Sequence, residues 1–147
     1  MVTFDTNIWV RYLTNDDQLQ ARRALALLEK TDAVFLPKTV LLELERVLRA
    51  AYKIEAAVIH KALLQILGLP MVTVESAGQV AAALDFYADG FDFADALHLA
   101  ASEGAEALYT FDGRFVRKGK EAVPPVLGVV DTIEKIDDSV PLVALSN

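Results

Sequence analysis

Apolar residues fall into two kinds of block along the chain. Val2 to Phe4, Ala33 to Leu36, Met71 to Val74, Ala107 to Tyr109 and Val126 to Val130 are short apolar runs bounded by turn residues, the pattern of buried strands. Between them, apolar positions recur at helical spacing. The pattern predicts helices from Asn7 to Leu13, from Asp16 or Asp17 to about Glu29, from Thr39 to Tyr52, from about Glu55 to Leu67, from Ser76 to Tyr87 and from Asp92 to Glu103. Pro37, Gly68, Pro70, Asp89-Gly90 and Gly104 punctuate these elements, and Pro124-Pro125 precedes the last strand. Short apolar strands alternating with helices predict an α/β fold with a parallel central sheet of four to five strands flanked by helices in three layers. In such sheets, sites form beyond the carboxyl ends of the strands.

Polar residues inside the apolar pattern then carry the information. Asp5 ends the first strand and Asp112 follows the fourth. On the helix from Thr39, the stripe Val40, Leu44, Val47, Leu48, Ala51 includes Glu43 and predicts that it points inward or along the edge of the sheet, with Glu45, Arg46 and Arg49 largely outside the stripe and solvated. Asp92 and Asp95 share a face of a helix otherwise almost wholly apolar or small. Each acid also has a structural reading: Asp5 and Asp92 as helix caps, Asp95 as a first-turn acid at the positive end of the dipole, and Asp112 as a turn residue before Gly113. Their combination is harder to explain structurally. The expected topology brings Asp5, Glu43, Asp95 and Asp112 to one edge, where four like charges repel unless protonated or bridged by a cation. With oxygen donors only and no cysteine, the cation is expected to be Mg²⁺ or Mn²⁺ rather than zinc.

Composition narrows the setting. The 147 residues are expected to form a single domain, with motifs in about 2–130 and a tail at 131–147 that matches none. A net charge of −7 argues against a simple electrostatic clamp on nucleic acid, yet cations held by clustered carboxylates reverse the field locally. Mean hydropathy is +0.33, but no apolar run reaches the roughly 18 residues needed to span a bilayer. The surplus apolar surface suggests a dimer or partner. Lacking cysteines and an export signal at the start, the chain is expected to be cytoplasmic.

The segments FDTN, LLELERVL, DFADALHLA and LYTFDGRF, in that order, resemble the PIN domain family of metal-dependent ribonucleases, and the compact length is most similar to the VapC toxins of toxin–antitoxin pairs. The resemblance implies Asp5, Glu43 and Asp95 as the acidic core, Asp112 as a fourth acid, and accessory polar roles for Thr6, Asn7, Thr110 and Asp92. It further implies an endoribonuclease that dimerises and is silenced by a small VapB-like antitoxin. An oxygen-lined cradle for one or two divalent ions suits water activation and charge neutralisation at a phosphodiester. Arg114, Arg117, Lys118 and Lys120, bunched after Asp112, read either as phosphate contacts or as an ordinary basic loop.

Three alternatives remain open to the sequence. A PIN nuclease of RNA maturation shares every motif, and a small antitoxin gene upstream would favour the toxin instead. A haloacid-dehalogenase-type phosphatase needs a second Asp where Asn7 stands, which makes it a poor fit. In an acidic protein-binding module, the carboxylates would merely cap helices. His60 and His98 lack the Ser or Cys neighbours of a nucleophilic triad.

Overall fold

The computed structural model describes residues 1–145; the last two residues of the tail at 131–147 lie outside the described residues. The chain folds as two compact units, Met1–Ala101 and Ser102–Asn147. Each is taken by itself.

In the first unit, β1 (Val2–Thr3), β2 (Val34–Leu36) and β3 (Val72–Val74) form a three-stranded ladder in the order β1-β2-β3. Both pairings are parallel, with Val2 opposite Val34 and Val34 opposite Val72. Parallel neighbours need a crossover, and the helices provide it. α1 (Thr6–Leu13) and α2 (Gln18–Lys30) join β1 to β2, whereas α3 (Lys38–Ala50) and α4 (Ala56–Leu67) join β2 to β3. α5 (Ala77–Ala88) and α6 (Phe93–Ala101) follow and pack on each other. Val34 and Leu36 of the central strand are fully buried, and Trp9, Leu41, Leu44, Leu48, Ile59, Leu63, Ile66 and Phe93 close over the ladder from the helices. Phe4 and Trp9 meet in a tilted ring contact at 5.4 Å, which ties the end of the first strand to the helix it launches.

The second unit holds β4 (Leu108–Thr110) and β5 (Val126–Gly128), a parallel pair with Leu108 opposite Val126. α7 (Gly113–Gly119) makes its crossover and a short α8 (Val129–Thr132) follows. Phe115 of α7 and Val126 of β5 are buried.

The α/β class and parallel pairing match the sequence pattern. The expected sheet of four to five strands is found as two ladders, of three and two strands. Three local expectations need correction. Three of the four basic residues are not in a loop: Asp112 caps α7, so Arg114, Arg117 and Lys118 share a helical face at spacings of three and four, and Lys120 follows the helix. Of Leu19, Ala24, Leu27 and Leu28, whose helical spacing marks α2 in the sequence, Leu19 and Leu27 are exposed, and only Ala24 and Leu28 of that helix are buried. The third concerns the glutamates of α3. The buried positions of α3 are Leu41, Leu44, Glu45 and Leu48, so its core stripe is rotated from the expected one. Glu45 is therefore buried, at 1% exposure, and Glu43 is exposed.

Glu45 tolerates burial because its carboxylate is satisfied. Its Oε2 accepts from Tyr87 Oη at 3.0 Å and from Arg49 Nε at 3.0 Å, one helical turn along. Leaving either oxygen unpaired there would cost about 1–3 kcal/mol or more. Burial, and then the charge and hydrogen bond of Glu45, push the Tyr87 phenol well above its ordinary value, so the ring remains a neutral donor.

Candidate functional site

Three of the four candidate acids lie in the first unit, each placed by a helix start or an exposed helix face. Asp5 is the N-cap of α1: its backbone is extended and its Oδ1 accepts from the Thr6 amide at 2.8 Å. This is the ordinary solution to orphan amides at a helix start. It occupies one carboxylate oxygen; Oδ2 of Asp5 takes no protein hydrogen bond among the described residues. Glu43 stands on the exposed side of α3. Asp92 precedes α6, where its Oδ2 accepts from the Asp95 amide at 3.2 Å and its carbonyl accepts from the Ala96 amide at 2.8 Å, the geometry of a cap. Asp95 lies in the first turn of α6 and is partly buried. α1 packs on α3 and α3 on α6, so the three helices that carry Asp5, Glu43 and Asp95 are in contact.

Of the accessory residues in this unit, Thr6 is buried and Asn7 is exposed on the first turn of α1. In the second unit Asp112 caps α7, with Oδ1 accepting from the amides of Arg114 at 2.9 Å and Phe115 at 3.4 Å. Thr110 Oγ1 accepts from the Asp112 amide at 3.0 Å and so fixes the turn leaving β4. Arg114, Arg117, Lys118 and Lys120 are exposed in that unit.

The structural and chemical readings of Asp5 and Asp112 are therefore compatible. An ionised carboxylate has about four lone-pair sites on two oxygens. Each of these caps engages Oδ1 alone, which orients the side chain and leaves Oδ2 for a ligand. Charge compensation separates the acids further. Arg49 neutralises Glu45 and Arg11 pairs with Asp16 at 3.0 Å, whereas Asp5, Glu43 and Asp112 form no ion pair among the described residues.

The donor chemistry of Asp5, Glu43 and Asp95 fits a hard divalent cation, since all are carboxylates and the chain has no cysteine. Among the described residues, however, no group of three or more acidic or histidine side chains is gathered closely enough to hold one ion. The fit thus rests on donor type, on the packed helices and on the charge of Asp5 and Glu43, which no ion pair among the described residues offsets.

Sequence reasoning missed the Glu45–Arg49–Tyr87 cluster. Its signal was the Glu-to-Arg spacing of four on α3, a favourable helical ion pair. The histidines are peripheral: His60 stacks on Tyr87 with ring centres 6.3 Å apart, and His98 is exposed on α6. Among the described residues no helix is long and apolar enough to cross a membrane.

Comparison with curated proteins finds no match. The PIN domain family matches residues 2–121, a span that takes in Asp5, Glu43, Asp95 and Asp112 and stops short of β5. With the match covering well over half of its length, this chain belongs to the PIN domain family, whose domains are generally nucleases.

Proposed function

We propose that the protein is a metal-dependent endoribonuclease that hydrolyses RNA phosphodiester bonds, with Asp5, Glu43 and Asp95 as its acidic core and Asp112 as the fourth acid. The observation that carries this reading is that Asp5 and Glu43, on packed helices, form no ion pair among the described residues, with Asp5 held by one oxygen and open at the other. When bound, Mg²⁺ or Mn²⁺ would supply Lewis acidity and a lowered pKa for water at the scissile phosphate. Asp5 and Asp95 are the first choices as direct ligands. Glu43 completes the donor set of the first unit and orients the attacking water, while Thr6, Asn7 and Asp92 hold backbone and side chains in place; Asp112 as fourth acid and Thr110 as accessory residue are the roles that membership of the family suggests for the second unit. Arg114, Arg117, Lys118 and Lys120 offer phosphate contacts in the second unit.

The finer reading is a toxin of the VapC type, acting as a homodimer in the cytoplasm and silenced by a small VapB-like antitoxin. It rests on the exposed apolar side chains of α2 and α4, among them Leu25 and Leu64.

The test is Mg²⁺- or Mn²⁺-dependent cleavage of a mixed RNA panel by the purified protein, with Asp5→Asn and Asp95→Asn alongside. Cleavage that needs the metal and is lost in both variants is expected. EDTA-insensitive cleavage unchanged in both would defeat the reading. Toxicity is tested by expressing the chain alone and following growth, with any small protein encoded directly upstream co-expressed for rescue; growth unaffected by the chain alone would remove the toxin assignment.

A further inference from the structure

Beside the first turn of α1 lies a depression of about 370 Å³, lined by Asn7, Ile8, Arg11, Arg23, Ala24 and Leu27. Its size falls at the low end of the range for ligand pockets, roughly 300–1,000 Å³. Its chemistry is mixed in a particular way. Ile8, Ala24 and Leu27 form an apolar wall, and two arginines stand beside it in a chain whose net charge is −7.

The two arginines differ in how they are held. Arg11 is fixed by three partners: Nε donates to Gln20 Oε1 at 2.7 Å, and Nη1 donates to Asp16 Oδ1 at 3.0 Å and to Tyr52 Oη at 3.2 Å. Nη2 and the flat face of the guanidinium take no part in these bonds. Arg23 is exposed and makes no hydrogen bond or ion pair among the described residues. A rigid guanidinium plane suits stacking by an unpaired base, and an exposed, unpaired cation suits a phosphate. Asn7, on the rim, follows Asp5 by two residues, so the depression opens within a helical turn of a candidate metal ligand.

We propose that this depression is a substrate subsite that takes one nucleotide of single-stranded RNA, its base against Arg11, Ile8 and Leu27 and its phosphate at Arg23. The inference rests on the nuclease reading for the identity of the ligand, and it extends that reading by stating where the strand leaves the acids. An extended RNA strand would run from the Asp5 end of α1 along the groove between α1 and α2. Charge complementarity favours an anionic occupant with a flat apolar face, which pairs Arg23 and packs on Arg11, Ile8 and Leu27 with the Arg11–Asp16 bond kept, over a purely apolar one that would strip water from Arg23 and replace it with nothing.

The adjacent arginine provides a matched control. Arg22 is the neighbour of Arg23 on α2 and is also exposed, but it lines a different depression, with Tyr12, Asn15 and Gln18. Charge reversal at either position changes the net charge equally. The probe is a fluorescein-labelled oligouridylate of about eight nucleotides, read by anisotropy in EDTA so that no cleavage intervenes. The expected result is binding weakened about tenfold by Arg23→Glu, largely preserved by Arg23→Lys, and changed by less than about twofold by Arg22→Glu. The dependence of affinity on salt should fall by about 0.7 in logarithmic slope with Arg23→Ala, one phosphate contact on a single strand. Equal losses in Arg22→Glu and Arg23→Glu, no loss in Arg23→Glu, or no binding by the wild-type protein would each overturn the subsite. RNA binding that follows the expected pattern in a protein without metal-dependent cleavage would leave the subsite standing and sink the nuclease reading alone.

Discussion

Glu43 and Glu45 lie two residues apart on α3 and have opposite fates. Glu45 is buried and fully engaged, by Arg49 one turn along the same helix and by Tyr87 from α5; Glu43 stands in solvent with no cation of its own among the described residues. Two residues along a helix rotate the side chain by roughly 200°, which is enough to move a carboxylate from core to surface. The contrast separates an acid that holds the fold from one that is available for chemistry. Burial without partners is prohibitive, so a buried acid arrives with its compensation, and an exposed acid can keep its charge for a ligand.

Substitutions should separate the two. The largest effect is expected on activity at the exposed position: Glu43→Gln should lower RNA cleavage about a hundredfold or more while shifting stability by less than about 0.5 kcal/mol. Cleavage kinetics beside urea unfolding check both halves, and a stability loss that accounts for the activity loss would erase the distinction. Next comes Glu45→Ala, which leaves Tyr87 without its acceptor and Arg49 without its partner. Because the Arg49 side chain is 51% exposed and can rehydrate, the expected loss is about 2–3 kcal/mol, at the low end for a broken buried pair. An unfolding midpoint unchanged from wild type would show that the cluster is not needed.

Tyr87→Phe is milder, because Glu45 retains Arg49; about 1–2 kcal/mol is expected in the same unfolding measurement. The smallest effect is a pH dependence. Burial and the Glu45 charge raise the Tyr87 phenol in the folded state, so the folded protein retains a proton that the unfolded chain releases. The stabilisation is fully present below pH about 10, the ordinary phenol value, and is lost as the pH rises above it. Tyr87→Phe should lack that alkaline decline. Identical alkaline profiles for the two proteins would remove Tyr87 as its source.

Much of the fold was legible because its strands are short and apolar and its helices are periodic. Val34 and Leu36 read as a buried strand, and they are one. The α3 phase was only half legible from its own residues. Leu44 and Leu48 belong both to the expected stripe and to the observed one, Leu41 and the Glu45-to-Arg49 spacing mark the observed one, and Tyr87, the second partner of buried Glu45, lies 42 residues beyond it. α7 was obscured by its basic residues and by the glycines at both ends, although Asp112 was the capping signal for it. The division of the strands into two ladders depends on pairing, which one-dimensional periodicity does not carry. For the site, residue type and position after strands were enough to nominate Asp5 and Asp112, and an acid on an otherwise apolar helix was enough to nominate Asp95. The orientation of each carboxylate, with one oxygen committed to a backbone amide in Asp5 and Asp112, required coordinates.

The central proposal is that Asp5, Glu43 and Asp95 of the first unit, and not the buried Glu45, bind a divalent cation. Mn²⁺ binding followed by electron paramagnetic resonance tests it directly in the wild-type protein and in the Glu43→Gln and Glu45→Gln variants, each first shown to be folded. Weakened binding in Glu43→Gln with affinity retained in Glu45→Gln is the predicted result. Equal affinity in all three, or loss in Glu45→Gln alone, would contradict the account.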